Sequence, residues 1–108
     1  MITISVCMIV KDEEMVLERA LKSVERIADE IIIVDTGSTD RTKKIALKYT
    51  DKVYDFVWCD DFAKARNYSF SKATMDYCMW LDADDIISDS DQEGLINLKK
   101  TLCSYDEI

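Results

Sequence analysis

Residues 3–10 read "TISVCMIV", almost wholly apolar and rich in β-branched side chains. A strand with one wet face alternates apolar and polar residues. A run that is apolar throughout is covered on both faces, as strands of a parallel sheet are. The next stretch, "DEEMVLERALKSVERIA" (12–28), changes period: Leu17, Ala20, Leu21, Val24 and Ile27 recur at helical spacing. Asp12, Glu13 and Glu14 are placed at the positive end of that helix. "EIIIVD" (30–35) is a second buried strand, and "TGSTD" (36–40) a turn at Gly37 followed by a cap from Ser38 or Thr39.

The alternation continues to the end of the chain. "RTKKIALKYT" (41–50) reads as a helix, "KVYDFVW" (52–58) as a third strand, and "DDFAKARNYSFSKAT" (60–74) as a third helix. "DYCMWLD" (76–82) is a fourth strand, and "QEGLINLKKTLCSY" (92–105) a last helix after "ADDIISDSD" (83–91). This β-α-β-α-β-α-β-α order predicts an α/β fold: a mostly parallel sheet of alternating βα units, Rossmann-like, with helices on both faces in three αβα layers.

The chain has 108 residues, which fits a single domain, 1–108, with one modest core. No apolar run approaches the ~18 residues needed to span a bilayer. The N-terminus lacks the basic flank and small-residue site of a signal peptide. A net charge of −8 argues against binding nucleic acid or an anionic membrane, though a nucleotide remains compatible if a divalent cation lies between the charges. Cys7, Cys59, Cys78 and Cys103 form no C-x-x-C pair and there is no histidine, which argues against zinc. Cys7 and Cys78 lie in apolar strands and read as buried free thiols of a cytoplasmic protein.

Ligands of open α/β sheets bind beyond the carboxyl ends of the strands. Each predicted strand ends in acids: Lys11-Asp12-Glu13-Glu14, Asp35-Thr36-Gly37-Ser38, Asp60-Asp61 and Asp82-Ala83-Asp84-Asp85. Two carboxylates about 5 Å apart repel by roughly 3 kcal/mol at an effective dielectric near 20. Such a tip splays into water, takes up protons, or holds a cation, and oxygen-only donors favour Mg²⁺, Mn²⁺ or Ca²⁺. If strand geometry persists through Asp84, Asp82 and Asp84 share one side. The plainer readings make Asp35 a turn residue, Arg66 a surface arginine, Asp12 and Glu13 first-turn helix acids, and Trp58, Tyr77 and Trp80 core.

Together "SVCMIVKDEE", "EIIIVDTGSTDRT", "WCDDFAKARN" and "WLDADD" resemble the N-terminal half of a family-2 glycosyltransferase with the GT-A fold. The nearest resemblance is to the bacterial branch that often carries tetratricopeptide repeats, and it runs from about Ile4 to Asp85. It implies a nucleotide-sugar donor, commonly UDP-linked, and an acceptor that the sequence does not identify. It implies that Val10, Lys11, Asp12, Glu13 and Asp35 surround the base and ribose. Asp82 and Asp84, with Ala83 between them, would form a D-x-D element reaching the ribose and a diphosphate-bound Mg²⁺ or Mn²⁺. Asp84 would be the closest metal ligand, and Arg66 would lie near the nucleotide or its phosphates. Many relatives carry an aromatic residue at the position of Lys11, asparagine at Asp12, and a second aspartate at Thr36.

A complete domain of that family is longer, so the chain reads as a truncated donor-binding half. It would lack the acceptor site and general base and be inactive alone. Asp89, Asp91 and Glu93 read as cap and first-turn acids of the last helix. A sheet cut short leaves a raw edge, so a homo-oligomer is one expectation. The alternative function is a non-catalytic signalling module resembling a response-regulator receiver, with Asp12-Glu13 as its acidic pair and Asp60 or Asp61 as phosphoacceptor. A haloacid-dehalogenase phosphatase needs D-x-D-x-T after the first strand, whereas "DTGST" (35–39) follows the second and lacks the second aspartate. No P-loop or G-x-G-x-x-G occurs.

Overall fold

The computed structural model describes residues 2–58, 61–83 and 87–101. The elements are β1 (Ile4–Val10), α1 (Leu17–Val24), β2 (Glu30–Asp35), α2 (Thr42–Leu47), β3 (Val53–Asp55), α3 (Phe62–Ser71), β4 (Tyr77–Trp80) and α4 (Asp89–Thr101). All four strands are parallel, in the order β3-β2-β1-β4.

That order dictates the layers. The chain steps from β1 to β2 to β3 in one direction, and α3 then carries it back past β1 to β4. Right-handed crossovers therefore put α1 and α2 on one face and α3 on the other. Ile4, Val6, Met8 and Val10 of β1 accordingly pack with Leu17, Ala20, Leu21 and Val24 of α1 and with Ala46 of α2. Cys7 faces the other way, its thiol 4.0 Å from the Ser69 carbonyl of α3. Leu95 and Ile96 return α4 to the α1 face. The predicted three-layer α/β architecture is thus present. The order 3-2-1-4 is that of Rossmann sheets, whereas receivers run 2-1-3-4-5, so the receiver alternative is overturned.

Several predicted boundaries move. The first helix begins at Leu17, not Asp12: Asp12 has φ 53°, a left-handed conformation no helix continues, and Glu13–Val16 form a turn instead. Asp12, Glu13 and Glu14 are therefore loop residues, not first-turn acids. Ser38 and Thr39 do not cap α2. They turn towards Asp12, and the Asp40 carboxylate accepts from the Thr42 amide at 2.8 Å. Strands β3 and β4 stop at Asp55 and Trp80, where pairing with their single neighbours ends. The last helix starts at Asp89, earlier than predicted. Ser88 Oγ accepts from the Asp91 amide, leaving Asp89 and Asp91 as first-turn acids. Cys78 is exposed, not buried, while burial and then the neighbouring Cys78 push the Cys7 thiol up to about 12. Among the described residues, no helix is long and apolar enough to cross a membrane.

The amino ends of the strands are tied by buried polar groups. Glu30 opens β2 and is 5% exposed. It accepts from Ser5 Oγ at 2.7 Å, from the Thr74 amide and hydroxyl at 2.8 and 2.7 Å, and from Lys52 Nζ. One side chain thus joins β1 and β2 to the segments leading into β3 and β4. Burial raises the Glu30 carboxyl, but the hydrogen bonds from Lys52, Ser5 and Thr74 outweigh it and bring the pKa down to about 2. Beside it, Asp29 accepts from the Ile4 amide and from Lys99 Nζ, which also reaches the Ile27 carbonyl and docks α4.

Candidate functional site

At the carboxyl ends of the strands, the loops after β1 and β2 are stitched together. The Asp12 amide donates to Ser38 Oγ at 2.9 Å, and Asp12 Oδ1 accepts from the Thr39 amide at 2.7 Å. The Glu13 amide donates to Thr42 Oγ1 at 2.7 Å, and Glu14 Oε2 accepts from Arg41 Nε at 3.2 Å. The Asp12 carboxylate therefore holds the loop, and the wall beside it is built from its neighbours. Val10, Lys11 and Glu13 line a cavity of about 260 Å³ together with Ile9, Thr36, Trp58 and Phe62.

A second cavity, of about 310 Å³, shares Thr36 and Trp58 with the first and is bounded by Asp35, Gly37 and Asp55 to Val57. Asp35 ends β2 and is 4% exposed. Its Oδ1 accepts from the Gly37 and Ser38 amides at 2.8 and 2.7 Å, a turn that Gly37 closes with φ 115°. Its Oδ2 is the one buried side-chain oxygen or nitrogen among the described residues that has no hydrogen-bond partner. Such an orphan is uncommon in folded proteins and calls for an explanation. Nearby, Lys43 Nζ donates to both oxygens of Asp55 at 2.8 and 2.9 Å, which holds its ammonium above the usual range.

On the α3 face, Asp61 caps α3 by accepting from the Lys64 amide. One turn on, the Arg66 guanidinium carbon lies 5.3 Å from the centre of the Phe62 ring and 5.5 Å from that of Trp80. Trp80 Nε1 donates to Asp82 Oδ1 at 3.2 Å. Contacts therefore run unbroken from the first cavity through Phe62 to Arg66, Trp80 and Asp82. Leu81 and Ala83 are 6% and 5% exposed and pack in the opposite core, so side chains keep alternating faces beyond the last paired residue of β4. Asp84 lies outside the described residues, as do Asp60, Asp85, Cys59 and Cys103.

The sequence expectations thus fall into three groups. Val10, Lys11, Glu13 and Asp35 meet around the paired cavities and Arg66 and Asp82 gather beside them, whereas Ala83 packs away from them in the opposite core. Asp12 faces its partner loop. Trp58 was expected in the core and Phe62 on a helix face, and both line the cavities, 39% and 43% exposed, whereas Trp80 lines neither and is half-buried against Phe62 and Phe70. The signal available for Trp58 and Trp80 was their position at the carboxyl ends of strands. The donors at this edge are oxygens, since the chain has no histidine. One accepted hydrogen bond leaves most of the Asp82 carboxylate's acceptor capacity open. That chemistry fits a hard divalent ion such as Mg²⁺ or Mn²⁺. Among the described residues, however, no three His, Cys, Asp or Glu side chains converge on one ion position.

Residues 5–102 match the model of the family described as glycosyl transferase family 2. A TPR repeat-containing protein of Synechococcus elongatus is 47% identical over 79% of this chain and 21% of its own length. A lipopolysaccharide core biosynthesis glycosyltransferase of Rhizobium meliloti is 30% identical over 97% of this chain and 39% of its own. Among solved structures, S. aureus TarS superposes with a TM-score of 0.75 at 25% identity, over 89% of this chain and 31% of that one. Glucosyl-3-phosphoglycerate synthase of Mycobacterium tuberculosis, in complex with Mn²⁺ and UDP-glucose, gives 0.67 at 26% identity, over 79% and 34%. The chain thus spans only a fifth to two fifths of the length of these proteins.

Proposed function

The chain belongs to glycosyl transferase family 2, and on that premise we propose that it is the part of a transferase that binds a nucleotide-diphosphate sugar, UDP-linked, for transfer to a separate acceptor. The observation that carries the reading is Asp35 Oδ2, a buried acceptor without a partner beside an open cavity. Leaving such an oxygen unpaired costs about 1–3 kcal/mol, and a planar base presenting an N–H in the cavity would offset that cost. The uracil of a uridine nucleotide has one such N–H, at N3. Both cavities lie beyond the carboxyl ends of β1, β2 and β3, the edge at which open α/β sheets bind ligands.

The remaining residues take roles from their surroundings. Val10, Lys11 and Glu13 form the wall of the adjoining cavity, and the stitched loops hold that wall still before a ligand arrives. Lys11 offers no aromatic face for a base, whereas Trp58 borders both cavities and does. Arg66 is restrained over two rings yet makes no ion pair among the described residues, so its charge is available to a phosphate oxygen. Asp82, with Asp84, would hold Mg²⁺ or Mn²⁺; bound there, such an ion neutralises charge that grows on the departing diphosphate.

Titrating the ¹⁵N-labelled chain with UDP, with and without Mn²⁺, tests this. UDP should shift the amides of Thr36, Gly37 and Ser38, and Asp35→Asn should weaken binding by about ten- to a hundredfold, the size of a hydrogen bond to a charged acceptor. Unmoved amides at 35–38 in the wild type would refute the proposal.

A further inference from the structure

Trp80 touches both groups assigned above to the diphosphate end of the donor. Its register opposite Cys7 puts the indole on the α3 face, where Phe62 and Phe70 hold it edge-on at ring-centre distances of 5.7 and 6.0 Å. Its ring then lies beneath Arg66, while its Nε1–H reaches the Asp82 carboxylate two residues on. Arg66 and Asp82 carry opposite charges near the same indole, yet no ion pair joins them among the described residues.

We propose that Trp80 is a positioning residue that holds Asp82 and Arg66 apart and fixed, one for a divalent cation and the other for the diphosphate. This rests on the nucleotide-sugar reading. A direct Arg66–Asp82 ion pair would cancel both charges, leaving the arginine less able to take a phosphate and the carboxylate less able to take a cation. The indole gives each a weaker partner: its face attracts the guanidinium, and its N–H orients one carboxylate oxygen. Neither contact removes the formal charge. The local sequence supports the geometry, since Leu81 and Ala83 are anchored in the opposite core and bring Asp82 to the side that carries the indole.

The test is to measure UDP affinity by calorimetry with and without Mn²⁺, for the wild type, Trp80→Phe and Trp80→Leu. Phenylalanine keeps a ring for Arg66 and removes the N–H. The gain in UDP affinity that Mn²⁺ confers should therefore shrink about fivefold, the worth of one hydrogen bond, with a smaller change in metal-free affinity. Leucine removes both contacts and should weaken metal-free binding as well. In the unliganded chain, Asp82→Asn should move the Trp80 indole N–H resonance, identified by its loss in Trp80→Phe, while thermal melts establish that each variant is folded. A Mn²⁺ gain in Trp80→Phe equal to the wild type's would overturn the positioning role and leave the nucleotide reading standing. An unmoved indole resonance in Asp82→Asn would overturn it equally. A wild type that binds UDP neither with nor without Mn²⁺ would overturn the nucleotide reading and this proposal with it.

Discussion

Glu30→Gln should cost the fold about 2 kcal/mol at pH 7 and progressively less as the solution is acidified. The substitution keeps the size of the side chain and its ability to accept from Ser5 and the Thr74 amide, and it removes the charge that faces Lys52. In the folded chain the Glu30 pKa is brought from 4.5 to about 2: burial raises it, and the bonds from Lys52, Ser5 and Thr74 more than reverse that. The difference of about 2.5 units corresponds to an upper limit of roughly 3.4 kcal/mol. Lys52 is 40% exposed, so water screens its share, and about 2 kcal/mol is the expected size. Because the folded pKa lies below the unfolded one, the contribution is complete above about pH 4.5 and is lost as pH falls through about 2. Denaturant unfolding of both proteins between pH 7 and pH 2 would measure it, with a melting difference of about 10 °C at neutral pH. Other carboxylates titrate in both proteins, so the informative quantity is the gap between them. A gap that is absent at pH 7, or that keeps its size down to pH 2, would refute the account of Glu30 as an ionised tie between strands.

Trp58→Leu should weaken UDP binding by about five- to 150-fold, the usual worth of one base–aromatic stack, while shifting unfolding free energy by under about 0.5 kcal/mol. Calorimetry alongside thermal melts checks both halves, and a loss of stability without a loss of affinity would return Trp58 to the core. Lys99→Met should cost about 2 kcal/mol, because it strands the Ile27 carbonyl and the Asp29 carboxylate that the ammonium now joins. Asp29 is raised by burial but held below the usual range by Lys99 and the Ile4 amide, so its pKa should climb in this variant. Amide exchange within α4 should accelerate well ahead of exchange in β1 and β2, and unchanged protection of residues 89–101 would count against that docking role.

What could be read from the sequence follows from how local each determinant is. Strands β1 and β2 are apolar on both faces because both faces are covered, so burial alone writes their signature into 4–10 and 30–35. The loop at Asp12 had no such signature. Its shape depends on Ser38 and Thr39, partners far away in sequence, and the acids at 12–14 look the same whether they start a helix or precede one. Asp35 was legible through the rule that sheets bind ligands at their carboxyl ends, but its unpaired oxygen was not, since pairing is a property of the folded surroundings. Trp58 misled for a related reason: an aromatic residue beyond a strand end is core only if something covers it, and Trp58 stays 39% exposed, whereas α3 lays Phe62 and Phe70 against Trp80.

Strand β2 carries one acid at each end, and the fold satisfies the two very differently. Both Glu30 oxygens are taken by four neighbouring groups, and the carboxylate serves to join four strands at their starts. At the other end, Asp35 uses one oxygen to close its own turn and leaves the other buried and unmatched. If the fold alone had set both ends, the second oxygen would gain from any nearby donor, and several hydroxyls stand in the adjoining loops. Two of those hydroxyls donate elsewhere, Thr36 to the Val10 carbonyl and Thr42 to the Asp40 carboxylate, and Ser38 Oγ, turned to accept from the Asp12 amide, makes no bond to Asp35 Oδ2. On the proposed nucleotide reading, the donor missing from this loop network would come from the bound base, and the network would hold the acceptor in place before it arrives.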